Sequence, residues 1–161
     1  MQNFVTIHQT SLRDRGEIWA LAGHGRTSFV DVREVAEAAG RVLTEAGHEK
    51  RAYTLTGPQA LSLDDIAAQL SAVLGRPVTY AHPGIIAFLR YRHATRQPRA
   101  TSRVMTGVHT GVHTAEPFGL AAAAEPDSER SIGRNATPVA QCAARCAAVW
   151  HPVASSQTGR Q

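Results

Sequence analysis

Between residues 26 and 80 the chain writes the same helix-start chemistry twice, and no other feature restricts its fold as much. In the first, Asp31 stands where an N-cap is wanted, Glu34 follows three residues later, and Val30 and Val35 flank them as a hydrophobic staple. In the second, Ser62, Asp65, Leu61 and Ile66 take those four roles. A cap carboxylate or hydroxyl accepts a free N–H of the first turn, while the acid that follows lies at the positive end of the helix dipole. Asp31, Glu34, Ser62 and Asp65 are therefore read as structural helix caps.

The first helix is expected over residues 32–45, with Val32, Val35, Ala36, Ala39, Val42 and Leu43 on one side and Gly47 as its stop. The second carries Leu63, Ile66, Ala67, Leu70, Val73 and Leu74, ends at Gly75, and precedes Pro77, which cannot continue it. Between them, residues 51–56 alternate Tyr53 and Leu55 against Ala52, Thr54 and Thr56, the pattern of a half-buried strand, and Gly57-Pro58 turns the chain. Upstream, residues 17–20 and 26–30 read as a hairpin joined by Gly23-His24-Gly25, whose glycines tolerate positive φ. A phosphate loop needs a helix directly after its glycines, and here a strand follows. Val78 and Tyr80 mark a short strand, and Pro83 opens another helix at its first position. Strands alternating with helices at this spacing predict an α/β layer.

The flanks say less. The opening MQNFVTIHQTSL puts Phe4, Ile7 and Leu12 at roughly helical spacing with no cap before them. After Leu89, Arg90, Arg92, Arg96, Arg99 and Arg103 crowd into a polar stretch with His93, too irregular for one helical face. Guanidinium groups suit phosphate oxygens, but the only aromatic among them is Tyr91, so a solvated surface is the preferred reading. TGVHTGVHT repeats a four-residue unit, and Ala121 to Ala124 lead to a break at Pro126-Asp127-Ser128. A closing helix starts with Thr137 as cap and Pro138 at its first position, and shows an apolar face of Val139, Cys142, Ala143, Cys146, Val149 and Trp150. The organisation expected is an α/β part over 1–90, an irregular, arginine-rich and partly helical segment over 91–135, a closing amphipathic helix over 136–152 and a disordered tail over 153–161.

Composition removes several classes of function. Of 161 residues, 43% are hydrophobic and 19% charged, ordinary values for a globular protein. The basic excess, 17 Lys+Arg against 13 Asp+Glu, is almost entirely arginine and fits codon usage better than nucleic-acid binding. No apolar run approaches the ~18 residues of a membrane span, and the first residues form no signal peptide. Two cysteines point to a reducing compartment, so a cytoplasmic location is expected. Cys142 and Cys146, and His109 and His113, have metal-compatible spacing, but the thiols fall in the apolar stripe and the histidines lie among Gly107 and Gly111. No metal site is expected. Asp64 and Asp65 are explained by their place in a first helical turn, and no G-x-S-x-G elbow is present. A dinucleotide fold needs a glycine-rich turn between a first strand and a helix, and the chain shows none. Nor does any tyrosine have a lysine four residues later: those positions hold Gly57, Gly84 and Thr95 after Tyr53, Tyr80 and Tyr91. No residue is assigned a catalytic or cofactor-binding role.

MQNF with the nearby His8, GHGRTSFVDVREVA, and HEKRAYTLTGPQALSLDDIAAQLSAVLGRPVTY together resemble the C-terminal half of NmrA-like proteins, the atypical short-chain dehydrogenases of the NAD(P)-binding Rossmann superfamily. The resemblance covers the first half of the chain strongly, fades through the arginine region and returns faintly at FGLAAAAEPDSERSIGR and the closing helix. Glu34 stands where that family usually has aspartate. The fold it implies is α/β: the C-terminal part of a Rossmann-like fold, with short strands and an α-helical substrate-side region, and without the N-terminal dinucleotide-binding half. Gln2, Asn3 and Phe4 match the segment that borders the substrate pocket, and Asp31 and Arg33 match the loop behind it. The function implied is the substrate-side portion of an NAD(P)H-dependent oxidoreductase acting on a small molecule, not catalytic alone and not binding NAD(P)H by itself, with a complementing N-terminal half or an oligomer as partner. The alternative is a non-enzymatic NAD(P)-sensing regulator or interaction module of the same family.

Overall fold

The computed structural model describes residues 1–95 and 132–151. Two short helices, α1 (Asn3–Thr6) and α2 (Gln9–Arg15), open the chain. They are followed by β1 (Glu17–Ile18), β2 (Thr27–Ser28), α3 (Val32–Thr44), β3 (Ala60–Leu61), α4 (Leu63–Leu74), β4 (Thr79–Tyr80) and α5 (Ile85–Ala94). The closing helix α6 (Val139–Cys146) runs on into a 3-10 turn at Ala147–Trp150.

α4 is the central beam. Its capping box is complete: Asp65 N–H donates to Ser62 Oγ at 3.1 Å, and Ser62 N–H donates to Asp65 Oδ2 at 3.0 Å. It ends at Gly75 in the left-handed conformation, φ 63°. Leu63, Ile66, Ala67, Leu70 and Leu74 are buried along one face, and α6 packs across it with Val139 and Ala143. Leu12, Ile18, Tyr80 and Trp150 fill the same core.

β1 and β4 pair in parallel, Glu17 with Thr79 and Ile18 with Tyr80, and β2 pairs antiparallel with β3. The expected hairpin is therefore corrected: its two strands lie in different two-stranded sheets. Each finds a better-matched partner at long range, because Ile18 and Tyr80 enter the core together. Residues 51–56 also depart from expectation. They form no β-ladder, although Tyr53 and Leu55 are half-buried while Ala52 and Thr54 are exposed. The alternation is present, but no neighbouring strand is laid beside it among the described residues.

Two polar clasps tie the layers together. Ser71 Oγ donates to Val78 O and accepts from Val78 N–H, at 3.1 and 2.8 Å, fixing the approach to β4. Arg76 Nη2 donates to Leu12 O at 2.6 Å and Trp150 O at 3.0 Å, joining the ends of α2 and the 3-10 turn. Two glycines are required by close backbone approach. Gly16 has φ 68°, and a Cβ there would lie 2.7 Å from the Pro77 carbonyl oxygen; a Cβ on Gly57 would collide with the Phe29 carbonyl.

α3 starts where its cap chemistry puts it, with Arg33 N–H donating to Asp31 Oδ1 at 3.0 Å. Its buried face is not the expected one. Glu34 and Ala38 are buried, whereas Val32, Val35 and Leu43 are 52%, 36% and 85% exposed. The anticipated apolar stripe faces away from the described core. At α6, Pro138 takes the cap position, and Thr137 turns its hydroxyl to Glu34 instead. The arginine stretch beyond residue 95, the TGVHT repeat, the alanine run and the tail lie outside the described residues. No described helix is long and apolar enough to cross a membrane.

Candidate functional site

α1 and the stretch leading into β2 enclose a cavity of about 300 Å³, lined by Asn3, Phe4, His8, Ala20, Phe29 and Leu63, with Thr27 and Ser28 at one side. The Phe4 ring contacts both His8 and Phe29, at centroid separations of 5.7 and 5.6 Å. His8 is buried and begins α2, and its carbonyl accepts from Leu12 N–H at 2.9 Å and Ser11 Oγ at 3.1 Å. The opposite wall is set by Tyr80. Its hydroxyl donates to Ala20 O at 2.9 Å and accepts from Ala22 N–H at 3.2 Å, holding residues 20–22 against the core. Burial raises the Tyr80 phenol above its ordinary value despite those backbone bonds, so it stays protonated and structural.

Asn3 and Phe4 thus line a cavity, while Gln2 is engaged beside it. Gln2 Nε2 donates to Asp31 Oδ1 at 2.8 Å, and Val32 N–H donates to Gln2 Oε1 at 2.9 Å, locking α1 onto the start of α3. Burial would raise the Asp31 carboxyl, but Arg33 N–H, the Gln2 amide and the Cys142 thiol outweigh it and hold it below its ordinary value. Glu34 reaches across to α6: its Oε1 accepts from Thr137 N–H at 2.7 Å, Thr137 Oγ1 at 2.6 Å and Arg134 Nη1 at 2.8 Å. Burial opposes its ionisation, and these bonds prevail, lowering its pKa. Cys142 is buried, and desolvation, then the nearby Asp31 carboxylate, push its thiol up to about 11. A protonated thiol is a poor metal ligand. His109 and His113 lie outside the described residues.

A second, open groove of about 1120 Å³ runs along α5 between Trp19, Ile85, Ile86 and Tyr91. Trp19 stacks on Tyr91 at 4.3 Å and 14°, and Arg15 lies over the same ring at 5.8 Å. The cavity behind Phe4 is mainly apolar with Asn3, His8, Thr27 and Ser28 in its lining, the mix found in small-molecule pockets. Among the described residues no glycine-rich strand-turn-helix faces either hollow.

No protein-family model matches the chain. An NAD(P)H azoreductase from Xenophilus azovorans is 48% identical over 80 residues, 50% of this chain and 28% of its own length. A (4-alkanoyl-5-oxo-2,5-dihydrofuran-3-yl)methyl phosphate reductase from Streptomyces griseus is 32% identical over 141 residues, 88% of this chain and 48% of its own. Triphenylmethane reductase from Citrobacter sp. superposes with a TM-score of 0.80 at 25% identity, over 92% of this chain and 50% of that one. Homologues of this chain are NAD(P)H oxidoreductases. Its mixed α/β fold matches that of NAD(P)-binding Rossmann-like reductases, and both triphenylmethane reductase and the quinone oxidoreductase of Escherichia coli have structures with NADP(H) or NADPH bound. The chain spans about half the length, or less, of these oxidoreductases.

One constellation exists only once the chain has folded. His24, Asp64 and His82, far apart along the chain, come together at one surface. Local pattern carries no signal for it, because two loops and the first turn of α4 have to meet before it exists.

Proposed function

We propose that this chain is the C-terminal, substrate-side portion of an NmrA-like, NAD(P)H-dependent oxidoreductase, and that it does not transfer hydride by itself. The observation that carries the reading is that 92% of the chain superposes on half of a reductase. The cavity behind Asn3 and Phe4 is the substrate end, and the nucleotide is delivered by a glycine-rich half that packs against it. The outward apolar stripe of α3 and the unladdered residues 51–56 support this, since an uncovered helix face and an extended stretch without a ladder partner are what a further α/β layer would cover. Binding and orienting the substrate falls to Phe4, Phe29 and the polar edge of the cavity. The hydride comes from the nicotinamide when it is bound.

The test has two arms. Titrating NADPH into the chain alone gives no saturable fluorescence change. Co-expressing it with the N-terminal half of a homologous reductase restores NADPH binding and quinone or azo-dye reduction. Tight, saturable NADPH binding by the chain alone overturns the reading, while binding without turnover in the complemented form favours an NAD(P)-sensing regulator.

A further inference from the structure

We propose that His24, Asp64 and His82 form a binding site for a divalent transition-metal cation of the Zn²⁺ class, independent of the oxidoreductase reading. The donor atoms of the three side chains lie within 4.8 Å of one another, and His82 Nε2 is 2.9 Å from Asp64 Oδ1. The His24 and His82 rings are 5.3 Å apart at 42°. Two imidazoles and one carboxylate are a common donor set for zinc with one position left open. Ligands on a tetrahedral zinc are separated by about 3.3 Å, given bonds of about 2.0–2.1 Å. Closing from 4.8 Å is a matter of side-chain rotation, since all three residues are exposed.

The backbones that carry them are held in place. His24 follows Ala22, which the Tyr80 hydroxyl fixes, and Gly25 N–H closes a turn on Ala22 O at 2.9 Å. Asp64 lies in the first turn of α4 but outside its capping box, so its carboxylate is free of that duty. His82 has φ 44°, a left-handed conformation for a residue with a side chain, and its ring rests on Tyr80 at 4.1 Å. That backbone places the His82 ring where its Nε2 meets Asp64 Oδ1 at 2.9 Å, so two of the three donors already converge. A bound ion would cross-link the loop after β1, the start of α4 and the approach to α5. Ala22 and Leu63 belong to the cavity rim, and Gly84 to the groove, so one ion would brace both hollows.

Isothermal titration of the full chain with ZnCl₂ gives one equivalent bound at micromolar Kd. The double variant His24→Ala/His82→Ala weakens it by at least ~100-fold and Asp64→Asn by at least ~10-fold, because each removes a direct ligand. Cys142→Ser leaves it unchanged. Zinc X-ray absorption on the wild-type chain shows only nitrogen and oxygen neighbours near ~2.0–2.1 Å. Absence of binding, undiminished binding by the double variant, or a sulfur shell near ~2.3 Å overturns the site.

Discussion

Glu34 shows how one side chain can look like a helix cap in the sequence and serve as a tertiary bolt in the fold. It is 3% exposed, and its Oε1 receives the backbone and hydroxyl of Thr137 together with Arg134. Glu34→Ala leaves the Thr137 N–H without its acceptor, and a loss of about 1–3 kcal/mol is expected from urea unfolding at neutral pH. The pH dependence follows from the direction of the shift. Glu34 is more acidic folded than unfolded, so its contribution is complete above the unfolded carboxylate value, about 4.3, and is lost as the pH falls through the lower folded value. The stability gap between wild type and Glu34→Gln should therefore be widest near neutrality and close towards pH 2; a constant gap would contradict this. Thr137 carries the same lesson from the other side. Its sequence position says cap, but the helix takes Pro138 as its cap, and the Thr137 hydroxyl donates to the buried Glu34 carboxylate.

At the scale of elements, what was legible and what was not divides by range. α4 could be read almost residue by residue, since its cap, its apolar period and its glycine stop are all local, and the folded helix keeps Leu63, Ile66, Leu70 and Leu74 on the buried side. Ser62→Ala removes a completed capping box and should cost about 1 kcal/mol in thermal or urea unfolding; no change would mean that packing alone sets this helix start. The strands were not legible as pairs. Each is only two residues long, and nothing in Glu17-Ile18 announces that its partner is Thr79-Tyr80 and not the stretch just after it. The cavity was legible only in part: Asn3 and Phe4 came from resemblance, whereas His8, Phe29 and Leu63 become neighbours only after α1 docks. The histidine pair around Asp64 was illegible for the same reason.

For the whole molecule, the outward face of α3 is the largest departure from what periodicity leads one to expect. Amphipathic helices turn their apolar stripe to the core, and this one turns Val32, Val35 and Leu43 to solvent while burying an acid. Exposed apolar surface of this kind promotes self-association. Analytical ultracentrifugation of the chain alone should show association beyond the monomer, and Val35→Ser with Leu43→Ser should shift it towards monomer without loss of helical content. A monodisperse wild type would show that the stripe is already satisfied. The last wall of the core has a different consequence. The Trp150 indole donates to the Phe4 carbonyl at 3.0 Å, a bond between residues 146 positions apart, and it is buried in the same core as Phe4 and Leu12. Closing a loop of that span costs chain entropy that the contact has to offset. Any chain cut short before that tryptophan would be left with a gap where the indole belongs and with the Phe4 carbonyl stripped of its donor.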